Sequence, residues 1–362
     1  MNNLFIVNNF FHLLTAFILS RAYFSSDNNY LVLIHPTGYN NWKNSPVLSY
    51  MSSINCGYKA VFPYINFLSH INKNKSYTKQ VQLVNKEITS LNINNVFVGN
   101  DKDPKNQLFI ATINFNKFYR FEDGLYSYYN KNISRKTSMA LYHKIKLNLY
   151  KYLYNINGNI SFNTTAIGNS QSAIADFLYK PNIIKRYSPK TIEIPKHSIN
   201  AALNDIKQQQ LLIPQIKNKS ILYLSQPLVE QKIISINDEL TCLNNILNLT
   251  NNNIEILYKP HPEDNPNKIL FFKKHFPHLK IYNTNVPVEL LYNIETNISF
   301  VISYRSTGLM YADIFGNHKI HPISLSNFSQ HPINPVYEKI MKESGVSFPK
   351  SIQELSTYFT DL

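Results

Sequence analysis

Apolar residues run nearly unbroken from Leu4 to Leu19 (LFIVNNFFHLLTAFIL), with Asn8, Asn9 and His12 as interruptions and no Lys or Arg ahead of them. A membrane span would need roughly 20 uninterrupted apolar residues, and an export signal a basic start. The pattern predicts instead a buried strand over Leu4–Val7, a turn at Asn8 and Asn9, and a helix from Phe10 onward. Strand, loop and helix in that order open an α/β domain with a mostly parallel sheet.

Short apolar runs then alternate with longer polar stretches. Tyr30–Ile34, Asn95–Val98, Leu108–Ile113 and Phe118–Phe121 read as strands and Leu141–Tyr154 as a helix. Between Lys180 and Pro214 the texture changes: Pro181, Pro189, Pro195 and Pro214 punctuate a basic stretch that includes the run Gln208–Gln210. A second series follows. Strands are expected at Ile221–Leu224, Ile254–Tyr258, Lys280–Tyr282, Phe300–Ser303 and Lys319–Ile323, and helices at Asn237–Leu249 and Ser306–Phe315. The pattern predicts an N-terminal domain over 1–190, a linker over 191–218 and a C-terminal domain over 219–362, both domains α/β and Rossmann-like, facing a central cleft.

At 362 residues, with 44% hydrophobic and 13% aromatic residues, the chain has material for two folded cores. Thirty-six Lys and Arg against 22 Asp and Glu leave a net charge of +14. The cations are scattered and match no nucleic-acid motif, so nucleic acid is not expected as a partner; diffuse positive charge suits an anionic membrane face better. The two cysteines, Cys56 and Cys242, fit no metal or redox spacing, which reads as a reduced, cytoplasmic chain. Only nine glycines are present, with neither a GxGxxG nor a GxxxxGK[ST] among them. Any phosphate must therefore be held by hydroxyls, a helix N-terminus, histidine or basic side chains.

Three motifs could carry chemistry. Glu122-Asp123-Gly124 ends a predicted strand, where ligand groups of open α/β sheets gather. One carboxylate there could act as a general base and Gly124 would allow a sharp turn, although Asp-Gly is also ordinary turn chemistry. In Lys259-Pro260-His261-Pro262 two prolines fix the backbone around an imidazole suited to a leaving phosphate; a rigid loop histidine is the plainer reading. Arg305-Ser306-Thr307 precedes a predicted helix, where the hydroxyls could bind a phosphate or simply cap. Glu289, in Pro287-Val288-Glu289, would face the dipole of a helix start or a ligand hydroxyl. Asp101-Lys102-Asp103 has the form of a metal-dependent site, but the loop offers a hard cation too few oxygens.

Taken in order along the chain, the acidic pair with glycine, the His-Pro motif, Glu289 and the Ser-Thr pair resemble the bacterial sialyltransferases, closest in flavour to glycosyltransferase family 52, with families 80 and 38 as relatives. The resemblance implies a GT-B fold and inverting transfer from CMP-sialic acid without metal or other cofactor. It further implies Asp123 as the base and His261 as the group that assists CMP departure. Lys259, Pro262, Glu289, Arg305, Ser306 and Thr307 would hold the donor, with Glu122, Gly124 and Asn9 on the acceptor side. Thr307 in place of a second serine keeps the hydroxyl, and Arg305 is a departure that could mark another donor. The implied acceptor is a terminal galactoside of a lipooligosaccharide or capsule. Another CMP-activated 2-keto sugar and a polysialyltransferase are the alternatives. A non-catalytic basic surface-binding protein and an epimerase acting on a UDP sugar are the more distant ones. Contact with the inner membrane face and a homodimer are left open.

Overall fold

The computed structural model describes residues 1–34, 45–64, 84, 86–111, 113–129, 145, 148–149, 152, 167–168, 172–209, 215–250, 254–282, 286–329 and 333–359. The helix expected over Leu141–Tyr154 lies largely outside them. The chain forms two compact units, Met1–Ile206 and Lys207–Leu362.

The first unit is built on a seven-stranded parallel sheet in the order β3-β2-β1-β4-β5-β6-β7. Its strands are β1 (Asn2–Val7), β2 (Asn28–Ile34), β3 (Tyr58–Tyr64), β4 (Asn95–Val98), β5 (Lys117–Phe121), β6 (Ala173–Leu178) and β7 (Thr191–Glu193). Central parallel strands are covered on both faces, so they read as continuous apolar runs. Leu4–Val7 is accordingly fully buried. The helix that follows, α1 (Phe10–Ala22), is buried at every position from His12 to Ser20. The apolar N-terminal run is thus a core strand and a core helix. Among the described residues no helix is long and apolar enough to cross a membrane.

The second unit carries a five-stranded parallel sheet in the order β10-β9-β8-β11-β12. Its strands are β8 (Ser220–Leu224), β9 (Glu255–Lys259), β10 (Lys280–Ile281), β11 (Ile298–Ser303) and β12 (His321–Ser324). The helix Ile236–Leu249 starts at a capping box in which Ser235 and Asp238 satisfy each other's backbone N–H groups. Its buried face, Cys242, Leu243 and Ile246, joins Ile221, Tyr223 and Tyr258 in the core.

Two expected elements differ. Leu108–Ile113, expected as a strand, is the end of the helix Pro104–Ile110 and the turn after it. Pro104 suits a first helical turn, and the Asp103 carbonyl accepts the Gln107 N–H at 3.1 Å, so local capping overrides a short apolar run. Ser306–Phe315 is a 3-10 turn, Thr307–Tyr311, followed by a single α turn, Ala312–Phe315. The strands Tyr58–Tyr64, Ala173–Leu178 and Thr191–Glu193 were not expected. Pro63 within β3 obscures that strand, and the structure places it at a sheet edge, where a missing donor is tolerated. The stretch 191–218 contains β7 and the helix Lys196–Gln208, within which the division between the two units falls.

Candidate active site

In each sheet the strand order reverses beside the first strand of the unit, between β1 and β4 and between β8 and β11. Loops leaving the carboxyl ends of strands on either side of such a switch diverge and leave room for ligands. The sequence motifs lie on or next to these loops.

In the first unit, Asn9 caps α1, its Oδ1 accepting the His12 N–H at 2.8 Å, while the Asn8 N–H points at His12 Nδ1 at 3.4 Å. With a donor facing Nδ1, the ring proton sits on Nε2, which donates to Asp123 Oδ1. The other carboxylate oxygen accepts from Asn100 Nδ2 at 3.0 Å, in the loop after β4. Asp123 itself follows β5, and its N–H donates to Ser127 Oγ at 2.6 Å across the 3-10 turn Gly124–Ser127. Gly124 has φ +77, a left-handed conformation that favours glycine. His12 also stands edge-on to Phe121, ring centroids 5.4 Å apart. It needs Gly99, because a Cβ there would come within 2.5 Å of Nε2. Asp123 keeps 12% of its side-chain surface exposed and His12 only 1%.

Glu122 points the other way. It is wholly buried, its Oε2 accepting from the Tyr128 hydroxyl at 2.5 Å and the Tyr179 N–H at 2.7 Å. Burial, with Glu122 adding to it, holds the Tyr128 phenol well above its usual range. On β5, Arg120 pairs with Asp176 through Nε at 2.5 Å and Nη2 at 3.1 Å, and with Asp101 through Nη1 at 3.1 Å. Arg186 adds a bond to Asp176 at 2.9 Å and one from Nε to the Ser127 carbonyl at 2.6 Å. Asp101 also accepts the Gly168 N–H at 2.7 Å. Asp101, considered for a metal, is therefore paired in the core with Arg120, and it is Arg186 of the same network that bonds the Asp123 turn at the Ser127 carbonyl.

In the second unit the His-Pro motif follows β9. The His261 N–H donates to Asp264 Oδ2 at 2.8 Å and the Glu263 N–H donates to His261 Nδ1 at 3.1 Å, which leaves the ring proton on Nε2. Desolvation lowers the His261 proton affinity, partly countered by Asp264 and Glu263. Pro262 is exposed in the same turn. Beneath the loop, buried Lys268 bonds Asp264 Oδ1 at 2.7 Å and Ser225 Oγ at 3.2 Å. Lys259 ends β9, pushed down to about 8 by desolvation with the Glu289 carboxylate opposing. Glu289, in the first turn of the helix Val288–Ile294, is pushed up to about 7 by burial, with its own backbone N–H and then Lys259 opposing. The structure thus brings these two motifs within Coulombic reach of each other.

After β11, Ser306 Oγ caps the following 3-10 turn by accepting the Gly308 N–H at 3.2 Å. Gly308 lies against the helix start: a Cβ there would sit 2.8 Å from Val288 Cγ1. The Arg305 N–H is held by Gln226 Oε1 at 2.8 Å, in the loop after β8, across the switch point. Burial alone lowers the proton affinity of the Arg305 guanidinium, and its Nη2 is shielded from solvent without a hydrogen-bond partner among the described residues. Thr307 is half-buried beside it.

Residues 3–321, which span every one of these motifs, match the family model for alpha-2,8-polysialyltransferase (POLYST). The chain belongs to the polysialyltransferase family. This polysialyltransferase-family chain is 26% identical over 216 residues to an uncharacterized protein of Haemophilus influenzae; the match covers 58% of the chain and 65% of the relative, less than two thirds of that protein's length. Among solved structures, that of S. aureus MnaA with UDP superposes with a TM-score of 0.54 at 12% identity, over 100% of this chain and 87% of the other. An alpha/beta-galactoside alpha-2,3-sialyltransferase from Photobacterium phosphoreum gives 0.49 at 12% identity, over 98% of each chain. The fold is of the GT-B type, built from two Rossmann-like units. The resemblance to bacterial sialyltransferases therefore holds, and the chain is sialyltransferase-like.

Sequence reasoning on the polysialyltransferase-family chain missed His12, Asn100 and Gln226 as parts of these loops. In the sequence His12 stands out only as a break in an apolar run. The available signal was its place three residues beyond an Asn at a helix start, directly after the first strand.

Proposed function

We propose that this chain moves sialic acid from CMP-sialic acid to a glycan hydroxyl, with inversion and without a metal. The observation that carries the reading is the family match, which extends over both Asp123 and the His261, Glu289 and Ser306 group. In the reaction the acceptor hydroxyl gives its proton to Asp123 as its oxygen bonds to C2 of sialic acid. The bond from C2 to the phosphate oxygen breaks, and CMP leaves with the electron pair. The transition state resembles an oxocarbenium ion, so help at both ends lowers the barrier most. His261, neutral with its proton on Nε2, donates to the departing phosphate. Lys259, Arg305 and the hydroxyls of Ser306 and Thr307 balance phosphate charge, and Glu289 accepts from the ribose hydroxyls. Glu122 anchors the base loop from behind, and Gly124 and Asn9 shape its acceptor side.

The family description supports an acceptor that already ends in sialic acid, to be extended by an α-2,8 linkage, over the terminal galactoside suggested by family 52. The test is CMP release from CMP-N-acetylneuraminic acid in EDTA, without acceptor, with lactose, and with a short α-2,8-linked sialic acid oligomer. Release stimulated by the oligomer supports the polysialyltransferase reading, and release stimulated by lactose returns the galactoside one. CMP binding without any release would keep the nucleotide site and turn the search to another CMP-activated 2-keto sugar. A cytoplasmic location at an anionic membrane face accords with the net charge of +14. Sedimentation with anionic vesicles at low and high salt tests it, and no binding at either removes it.

A further inference from the structure

The group that orients the candidate base comes from α1, not from any motif of the chain. We propose that His12 is a positioning residue, a neutral Nε2–H donor that fixes Asp123 in the orientation needed to take the acceptor proton. The inference rests on the reading of Asp123 as the base.

Four observations carry it. Each carboxylate oxygen of Asp123 has its own neutral donor, Nε2 of His12 on Oδ1 and Nδ2 of Asn100 on Oδ2 at 3.0 Å. A carboxylate tied from two sides cannot rotate, and a misplacement of about 1 Å at a reacting group can cost on the order of 100-fold in rate. The imidazole is itself fixed, with the Phe121 ring edge-on and no room at Gly99 for a side chain in its place. It is 1% exposed, so it acts through Asp123 and does not reach the acceptor. Finally, Nδ1 faces the Asn8 N–H at 3.4 Å. A second proton on the ring would put two donors face to face, so His12 cannot relay the proton onward, and its part is confined to holding the carboxylate.

Two substitutions separate positioning from packing. His12→Leu fills the space without a donor and is expected to lower kcat ~100-fold while KM for CMP-sialic acid stays unchanged. His12→Gln carries an amide N–H close to the place of Nε2 and should restore kcat to within ~10-fold of the wild type. In an Asp123→Ala background, His12→Leu should cost nothing further, because residues that act as a unit are non-additive. Equal losses in Leu and Gln variants that fold normally, or full additivity with Asp123→Ala, would overturn the proposal. A readout independent of activity is nitrogen NMR of 15N-histidine-labelled chain. His12 should appear as the Nε2–H tautomer, with its Nε2 resonance moving in Asp123→Asn. The opposite tautomer, or no response, overturns the positioning role even if the chain proves inactive toward CMP-sialic acid, whereas the expected spectrum with no CMP release faults the functional reading alone.

Discussion

The two switch points solve opposite problems. In the first unit the candidate base is fixed by geometry: the Asp123 carboxylate accepts from two neutral donors, His12 and Asn100, and its backbone N–H donates to Ser127 Oγ, with the charged residues nearby paired among themselves in the Arg120–Asp176–Arg186–Asp101 network. In the second unit the candidates are charges held out of water: Lys259 pushed down to about 8, Glu289 pushed up to about 7, and Arg305 with its proton affinity lowered by burial. A base that meets a neutral hydroxyl needs direction more than charge. A nucleotide phosphate carries charge of its own and gains more as the leaving bond breaks, and partly desolvated cations interact with it more strongly than hydrated ones. The difference teaches that side-chain geometry is the quantity to perturb in one unit and protonation the quantity to perturb in the other.

The largest effect should come from removing the directed groups. Asp123→Ala is expected to lower turnover by ~1000-fold and His261→Ala by ~100-fold, with thermal melting near that of the wild type. Near-normal release of CMP by folded Asp123→Ala would remove the base from the first unit. Next in size, Arg120→Leu takes the guanidinium from Asp101 and leaves Asp176 with one of its two arginines, Arg186. Breaking a buried ion network by removing one partner costs about 3–5 kcal/mol, readable in urea unfolding. A smaller loss would show that the network is dispensable to the base loop.

The protonation side of the comparison is tested by pH. Glu289 and Glu239 both hold their protons in the folded chain up to about 7, whereas an unfolded glutamate releases its proton near 4.5. Between those values the folded state binds more protons, so their contribution to stability falls as pH rises from 4.5 through about 7. Lys259 acts in the reverse sense. It loses its proton near 8 when folded and near 10.5 when unfolded, so its contribution rises with pH across that window. Glu289→Gln should flatten the acid-side slope in part, leaving the share of Glu239. An unchanged slope would show that Glu289 is not the buried proton holder. The smallest effect is expected for Ser306→Ala, about 1 kcal/mol for a lost cap, together with weaker CMP binding by calorimetry. Loss of stability with unchanged CMP affinity would confine Ser306 to capping.

Much of this was legible in the chain. The run Leu4–Leu19 reveals β1 and α1 because central elements of a doubly covered sheet are apolar on every face, and that needs no partner to be seen. Asn95–Val98, Phe118–Phe121 and Ile221–Leu224 were visible for the same reason. Edge strands were not: Thr191–Glu193 has three residues, none of them buried, and Pro63 sits within Tyr58–Tyr64. Leu108–Ile113 misled because a short apolar run looks alike in a strand and a helix, and the Pro104 start decided it.

The same division runs through the site. Sequence by itself determined the family, the α/β architecture and the order of the Glu-Asp-Gly, His-Pro, Glu289 and Ser-Thr motifs, because these are carried by local spacing and residue type. Which acid of Glu122-Asp123 stays accessible was decided by tertiary structure: Tyr128 and the Tyr179 N–H claim Glu122 in the core, and His12 and Asn100 hold Asp123 beside the switch point. His12 and Asp123 are 111 positions apart, and no periodicity links them. They meet because β1 is followed in space by β4 and β5, so that loops distant along the chain leave the sheet side by side.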